Sequence, residues 1–293
     1  MGDEPFTERT PRIVNAAKLH RAQARRKAGR FVAEGANAVT SALAHGDVVE
    51  VYLTEQGLEA VGGELDRLTA EREVIRESDA DGDGPVGEAR GVRVHLITDR
   101  AARALSESVT PTGIFALCTT CVTDLDGLAE RALHGSMLAV PVETAEPGNA
   151  GALVRVADAT GAAGVVFAGS SVDPQGGKAV RASAGSVFHL PVVRHTGVAE
   201  VIDQLHEWGY TVLATSGEGD VSLDDAATAQ DGPALLAGKV AWLFGNEAHG
   251  LGDWQDLADV RVSIPMAGMA ESFNLVTAAA ICLYETARVA RRG

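Results

Sequence analysis

Short apolar runs and amphipathic stretches alternate along this chain, a pattern that predicts strands and helices in turn. In the first half, 30–33, 48–54, 92–97 and 114–121 read as strands, and helical stretches at 36–44, 59–70 and 100–107 separate them. Gly46 and Gly57 punctuate that series. In the second half the runs at 137–141, 164–168, 187–193, 210–215, 240–244 and 260–264 are short, and many are apolar throughout. Strands of that composition are covered on both faces, so they predict a buried parallel sheet. Helices fit between them at 150–159, 178–184 and 198–208, and a long one is expected at 275–291. The fold class is α/β throughout, with a small α/β domain over 1–123, a linker over 124–134 and a parallel-sheet domain over 135–293.

Composition adds limits. With 293 residues, 46% of them hydrophobic, the chain can bury a sizeable core. It has no run of about 18 apolar residues to span a bilayer. The start, Met1 to Phe6, lacks the basic and apolar regions of a signal peptide. A cytoplasmic location with no membrane partner is therefore expected. Three cysteines, Cys118, Cys121 and Cys282, do not make a disulfide framework.

A net charge of -15 argues, on average, against a polyanion partner. The average hides an asymmetry. Between 9 and 30 lie eight basic residues (Arg9, Arg12, Lys18, Arg21, Arg25, Arg26, Lys27 and Arg30) and no acidic one. Thr10-Pro11 is a start signal and Gly29 a stop, so the stretch predicts one basic helix. Such a helix on an acidic body either meets a polyanion or is a solvated face.

Several short motifs fail their context. Gly82 to Gly87 matches GxGxxG, but an acidic run precedes it, Pro85 interrupts it and no helix follows at once. Asp79, Asp81, Asp83 and Gly84 match the start of a calcium loop whose twelfth position is Arg90, where a bidentate Glu is needed. The whole segment 77–91 reads as a mobile surface loop. Cys118-Thr-Thr-Cys121 falls on a predicted strand, where residues three apart point to opposite faces, so its thiols read as structural. The eight histidines show no metal spacing, and no metal is expected. With 4% aromatic residues, Trp208, Trp242 and Trp254 read as core or interface fillers.

Three segments agree with one another. Each begins where a predicted strand ends, which is where α/β folds assemble active sites. Glu146-Pro-Gly-Asn149-Ala-Gly151 places turn residues after a strand and Arg155 on the following helix. Gly245-Asn246-Glu247 gathers backbone amides and a carboxylate at a strand end, with His249 reading as a loop residue. Ile264-Pro265-Met266 ends the last strand, and Ser272 or Asn274 caps the last helix, whose first N–H groups are unpaired.

Written as Asn149-x-Gly151-x-x-x-Arg155, Gly245-Asn-Glu247-x-x-Gly250-Leu251 and Ile264-Pro-Met266 through Glu271-Ser-Phe-Asn274, the trio resembles the signature motifs of the SpoU (TrmH) family. These are RNA ribose 2'-O-methyltransferases of the SPOUT class. The resemblance spans roughly 138–291, and the segment from Val180 through Arg181 to Phe188 resembles the family's linking region. By pattern, the first half resembles the ribosomal-protein-like RNA-binding domain that many members carry.

The resemblance implies a C-terminal trefoil knot, S-adenosylmethionine as methyl donor and a homodimer. Gly245, Ile264 and Phe273 would contact the donor, Phe standing where members usually have Leu, with Thr215 and Met266 beside them. Arg155 would act on the ribose hydroxyl, as base or as alkoxide stabiliser, with Asn149, Glu247, Ser272 and Asn274 in the catalytic group. Arg21, Arg25, Arg26, Lys27 and Arg181 are the expected RNA contacts. The expected substrate is large-subunit (23S) ribosomal RNA; the alternatives are transfer RNA, or a non-catalytic RNA-binding or ribosome-assembly protein of the same fold.

Overall fold

The computed structural model describes residues 4–70, 92–228 and 234–291. The loop expected at 77–91, with its GxGxxG and calcium-like runs, lies outside the described residues. In chain order the helices are α1 Pro11–Ala17, α2 Ala22–Ala28, α3 Ala36–His45, α4 Glu55–Ala70, α5 Asp99–Leu105, α6 Leu125–His134, α7 Pro147–Thr160, α8 Gly177–Ser183, α9 Val198–Glu207, α10 Leu223–Ala226 and α11 Leu275–Ala290. The strands are β1 Arg30–Glu34, β2 Val48–Leu53, β3 Arg93–Leu96, β4 Ile114–Thr119, β5 Val122–Thr123, β6 Met137–Pro141, β7 Val165–Ala168, β8 Val192–His195, β9 Thr211–Thr215, β10 Val221–Ser222, β11 Val240–Phe244 and β12 Val260–Ser263.

Contacts divide the chain into two units, Met1–Cys121 with Gln175–Phe188, and Val122–Pro174 with His189–Gly293. The first unit holds a four-stranded sheet in the order β1-β4-β2-β3. β4 runs antiparallel to β1 and β2, and β3 is parallel to β2. Its core centres on Ile13, Tyr52, Ala101 and Phe115, side chains withdrawn wholly from water. The segment carrying α8 belongs to this unit although it lies between β7 and β8 in sequence.

The second unit holds the sheet β10-β12-β9-β11-β6-β7-β8-β5, parallel at every described pairing. β6 and β11 are buried at every position, as uninterrupted apolar runs require. From β6 the chain adds β7 and β8 on one side, and β9, β11 and β12 lie on the other. The order reverses beside β6, and the crevice at the carboxyl ends next to such a reversal is where α/β sheets bind ligands.

Four expectations change. Residues 124–134 form a capped helix rather than a linker: Asp124 accepts from the Gly127 N–H, and Leu128 and Ala132 enter the core of the second unit. The basic stretch is not one helix. A 3-10 turn at Lys18–His20 and an extended Arg21 separate α1 from α2, because the Arg25 guanidinium takes the carbonyls of Leu19 (2.8 Å) and His20 (2.9 Å) that a continuing helix would have paired. The run at 187–193 is part 3-10 turn, Ser186–Phe188, following the left-handed pair Ala184 and Gly185, and its strand starts only after Pro191. The strand expected to end at 121 stops at Thr119, and Val122–Thr123 pairs instead with β8.

Cys118 is buried, and burial pushes its thiol well above the ordinary range. Trp242 is also buried, its indole N–H donating to Thr286 Oγ1 at 3.0 Å. Trp208 and Trp254 pack into and against the core of the second unit. No helix among the described residues is long and apolar enough to cross a membrane.

Candidate active site

The carboxyl ends of β9, β11 and β12 and the start of α11 surround a cavity of about 410 Å³. Thr215 lines it from β9, Gly245 and Glu247 follow β11, Ile264 and Met266 follow β12, and Ser272, Phe273 and Asn274 lead into α11. Residues from two of the three sequence segments, together with Thr215, therefore meet at one place. Parallel strands explain the convergence, because equivalent ends of neighbouring strands lie side by side.

Local chemistry shapes each wall. A Cβ at Gly245 would lie 2.3 Å from the Gly250 carbonyl carbon and 2.4 Å from the Leu251 nitrogen, so close backbone approach admits only glycine. Asn246 and Gly250 exchange backbone hydrogen bonds of 2.8 and 2.9 Å, closing a turn in which Gly250 takes φ +65°. Thr215 donates its hydroxyl to the Leu243 carbonyl at 3.0 Å, joining β9 to β11 at the cavity edge. Asn274, not Ser272, caps α11, its Oδ1 accepting the Val276 N–H at 2.9 Å. Ser272 and Phe273 are exposed to the cavity side of that loop.

The first segment joins the site through Glu247. Its carboxylate accepts the Ala145 N–H (3.2 Å), the Glu146 N–H (3.3 Å) and the Asn149 side-chain amide (3.0 Å). Partial burial pushes the Glu247 carboxyl up, but these bonds, with one from its own backbone N–H, outweigh burial and hold it below the usual range. Asn246 tightens the same junction by donating to the Glu143 carbonyl at 2.6 Å.

Arg155 stands apart. It is exposed on α7 and is not among the residues lining the cavity of its own chain. No hydrogen bond or ion pair links its side chain to another described residue. Along the same helix, Val156 and Ala159 share a shallow apolar groove with Thr277, Ala280, Ile281 and Tyr284 of α11. Tyr284 is 58% exposed there.

Sequence reasoning missed Ser216 and Gly217 and gave no role to Glu271 of the third motif; all three also line the cavity. A Ser-Gly pair directly after an apolar strand, and an acid beside Ser272, were the available signals. It also missed Glu143, a non-glycine residue at φ +53° after β6, whose carboxylate lies 3.5 Å from His249 Nε2. His249 is otherwise a loop residue, its side chain 60% exposed.

The residues assigned to RNA divide. Arg21, Arg26 and Lys27 are exposed. Arg25 is buried and committed to backbone carbonyls, so it is a structural residue and not a surface contact. Arg181 is half-buried, with Nη1 2.9 Å from the buried carboxylate of Glu34. Among the described residues no group of three or more His, Cys, Asp or Glu side chains is placed to hold a metal ion.

Comparison with known proteins gives a consistent result. The family model of the SpoU rRNA Methylase family matches residues 136–284, and that of the MRM3-like substrate binding domain matches 10–116. The 23S rRNA (uridine(2479)-2'-O)-methyltransferase of Streptomyces viridochromogenes is 31% identical over 90% of this chain and 84% of its own length. The 23S rRNA (guanosine(2553)-2'-O)-methyltransferase RlmP of Bacillus subtilis is 27% identical over 93% of this chain and 94% of its own. The crystal structure of the SpoU methyltransferase AviRb from Streptomyces viridochromogenes, in complex with AdoMet, superposes with a TM-score of 0.74 at 28% identity, covering 97% of this chain and all of that one.

Proposed function

The chain belongs to the SpoU rRNA methylase family, and from that premise we propose that it transfers a methyl group from S-adenosylmethionine to a ribose 2'-hydroxyl of large-subunit ribosomal RNA. The observation that carries this reading is the meeting of Thr215, Gly245, Ile264, Met266, Phe273 and Asn274 around one cavity at the sheet's carboxyl edge. The second unit is the methyltransferase unit, and the first, matched over 10–116 by a substrate-binding model, selects the RNA.

The cavity fits the donor. Its volume of about 410 Å³ suits a small molecule. Ile264, Met266 and Phe273 offer apolar surface for a purine, and Phe273, larger than leucine, narrows that wall. Glu271 adds a carboxylate suited to a cationic donor. The bound donor supplies an electrophilic methyl group on a sulfonium.

The protein's own work is positional. A ribose hydroxyl must be held in line with the methyl group at about 3–3.5 Å. Arg155 carries a guanidinium, which does not give up its proton, so its role is to stabilise the alkoxide that develops as the hydroxyl proton passes to water and the methyl–sulfur bond breaks to leave a neutral thioether. Ser272, unpartnered among the described residues, is available to the ribose or its phosphate. Glu247 holds Asn149 and the start of α7 against the β11 turn and acts as a positioning residue. Asn274 sets the start of α11.

A homodimer completes the reading. The apolar groove between α7 and α11 takes a second copy, and Arg155, beside that groove and outside its own chain's cavity lining, serves the cavity of the other copy. The last segment of the chain forms the knot that the family likeness implies, and the enzyme works in the cytoplasm, with its RNA.

The test is transfer of labelled methyl from S-adenosylmethionine to unmodified large-subunit RNA, with transfer RNA alongside and nucleoside analysis of the product. Label in a 2'-O-methylnucleoside of ribosomal RNA is expected. Label only in transfer RNA would replace the substrate, and donor binding without transfer to either RNA would favour a non-catalytic binding role.

A further inference from the structure

The first unit carries a side-chain cluster that methyl transfer does not use. β2 and β3 pair in register with Glu50 opposite Arg93 and Tyr52 opposite His95, so alternate residues of both strands share one face. Glu50 is only 5% exposed, yet several groups reach its carboxylate. The Tyr52 hydroxyl donates to Oε2, while Arg93 Nη2 and Arg12 Nη1 lie 3.2 and 3.6 Å from Oε1. Arg12 Nη1 also donates to His95 Nε2 at 3.2 Å. Because a guanidinium only donates, Nε2 is the acceptor of this bond.

Three rings stack over this charge cluster. His95 lies 5.7 Å from Tyr52 on one side and 4.6 Å from Phe6 on the other, centroid to centroid. Tyr52 and His95 are buried and Phe6 is half-buried, so Phe6 is the member of the stack that meets solvent. Its backbone is fixed as well, donating to the Leu96 carbonyl at 2.8 Å and accepting the Thr98 N–H at 2.9 Å. Two guanidinium groups flank the one buried carboxylate, and His95 Nε2 lies 4.0 Å from its Oε2. The Arg12 and Arg93 side chains remain 33% and 40% exposed.

We propose that this cluster is a nucleotide-binding patch of the substrate unit: an unstacked RNA base packs on Phe6 while Arg12 and Arg93 hold the neighbouring phosphates, positioned by Glu50. Bases splayed out of RNA stack on aromatic rings, and arginine presents a fixed fork to phosphate. A ring held by its backbone and two guanidinium groups spaced by one buried acid form such a surface with little ordering left to do on binding. The inference rests on the reading of RNA as substrate.

The experiment measures binding of unmodified 23S ribosomal RNA against salt, with donor affinity and thermal melting beside it. Phe6→Leu should weaken RNA binding roughly 10-fold with little change in salt slope, because stacking is not ionic. The triple variant Arg12→Gln/Arg93→Gln/Glu50→Gln removes the buried acid together with its partners, and should lower both affinity and slope. Arg12→Lys/Arg93→Lys keeps the charge and should restore the slope. If the triple variant does not melt as a folded protein, Phe6→Leu decides. Wild-type affinity in Phe6→Leu, or wild-type affinity and slope in the folded triple variant, would overturn the patch alone, leaving the RNA reading intact. Failure of the unaltered chain to bind RNA while binding donor would overturn both.

Discussion

Asn149 donates its side-chain amide to Glu247 at 3.0 Å, across 98 residues of sequence, and so ties the start of α7 to the turn after β11. The same carboxylate gathers the Ala145 and Glu146 N–H groups. The start of α7 is thereby fixed to the turn that lines the cavity. Glu247→Gln keeps one acceptor but turns an amide toward backbone donors. Methyl transfer should fall about 10-fold or more while donor affinity changes only a few-fold, a split that calorimetry and initial rates resolve.

Glu247 also carries a pH signature. Its carboxyl is held below the ordinary value of 4.5, so it adds stability above that pH and loses it as pH falls through its folded-state value. Melting temperatures of the unaltered chain and Glu247→Gln should differ most above about pH 5 and converge as pH falls below the ordinary value of 4.5 and through the lower folded-state value. A constant gap across that window would remove Glu247 as the source.

Arg155→Ala should reduce methyl transfer by roughly a thousandfold, the scale expected when a stabiliser of developing charge is lost. Donor binding should stay within a few-fold, because the proposed partner of Arg155 is the ribose hydroxyl and not the donor. Mixed with a Gly245→Val chain, whose added side chain would displace the Gly250–Leu251 backbone beside the cavity, it should regain part of its activity if sites are shared between copies. No recovery would argue for a site completed within one chain.

At the α7–α11 groove, Tyr284→Asp places a charge on an exposed apolar face. Light scattering should report a shift from dimer to monomer, with loss of transfer. A monomeric unaltered chain would remove the shared-site reading directly.

Arg25 and its neighbours should separate cleanly. Arg25→Ala loses bonds to two carbonyls and should cost about 1–3 kcal/mol of stability in thermal or denaturant melts. Arg26→Gln/Lys27→Gln, at exposed positions, should leave melting unchanged and flatten the salt dependence of RNA binding. The reverse pattern would place the RNA contact elsewhere.

The strands at 137–141 and 240–244 were legible to the residue, because an apolar run ends sharply where turn residues begin. Residues that line the cavity were legible for the same reason: Gly245, Ile264, Phe273 and Asn274 all stand just past a strand or just before a helix. The basic stretch misled, since charge along a sequence does not say which guanidinium turns inward. Only Arg25's contact with two carbonyls made that choice.

By itself, then, the sequence determined the α/β alternation, the buried parallel sheet and the family motifs, all of which depend on local patterning and on residue types at fixed spacing. Tertiary structure decided which distant residues share a surface. It brought Glu247 to Asn149, left Arg155 outside its own cavity lining and lent α8 to the first unit. It also built the Glu50 and Phe6 cluster from three stretches of chain. The physical reason is that strand order and crossover path, which no short window of sequence encodes, set these neighbours.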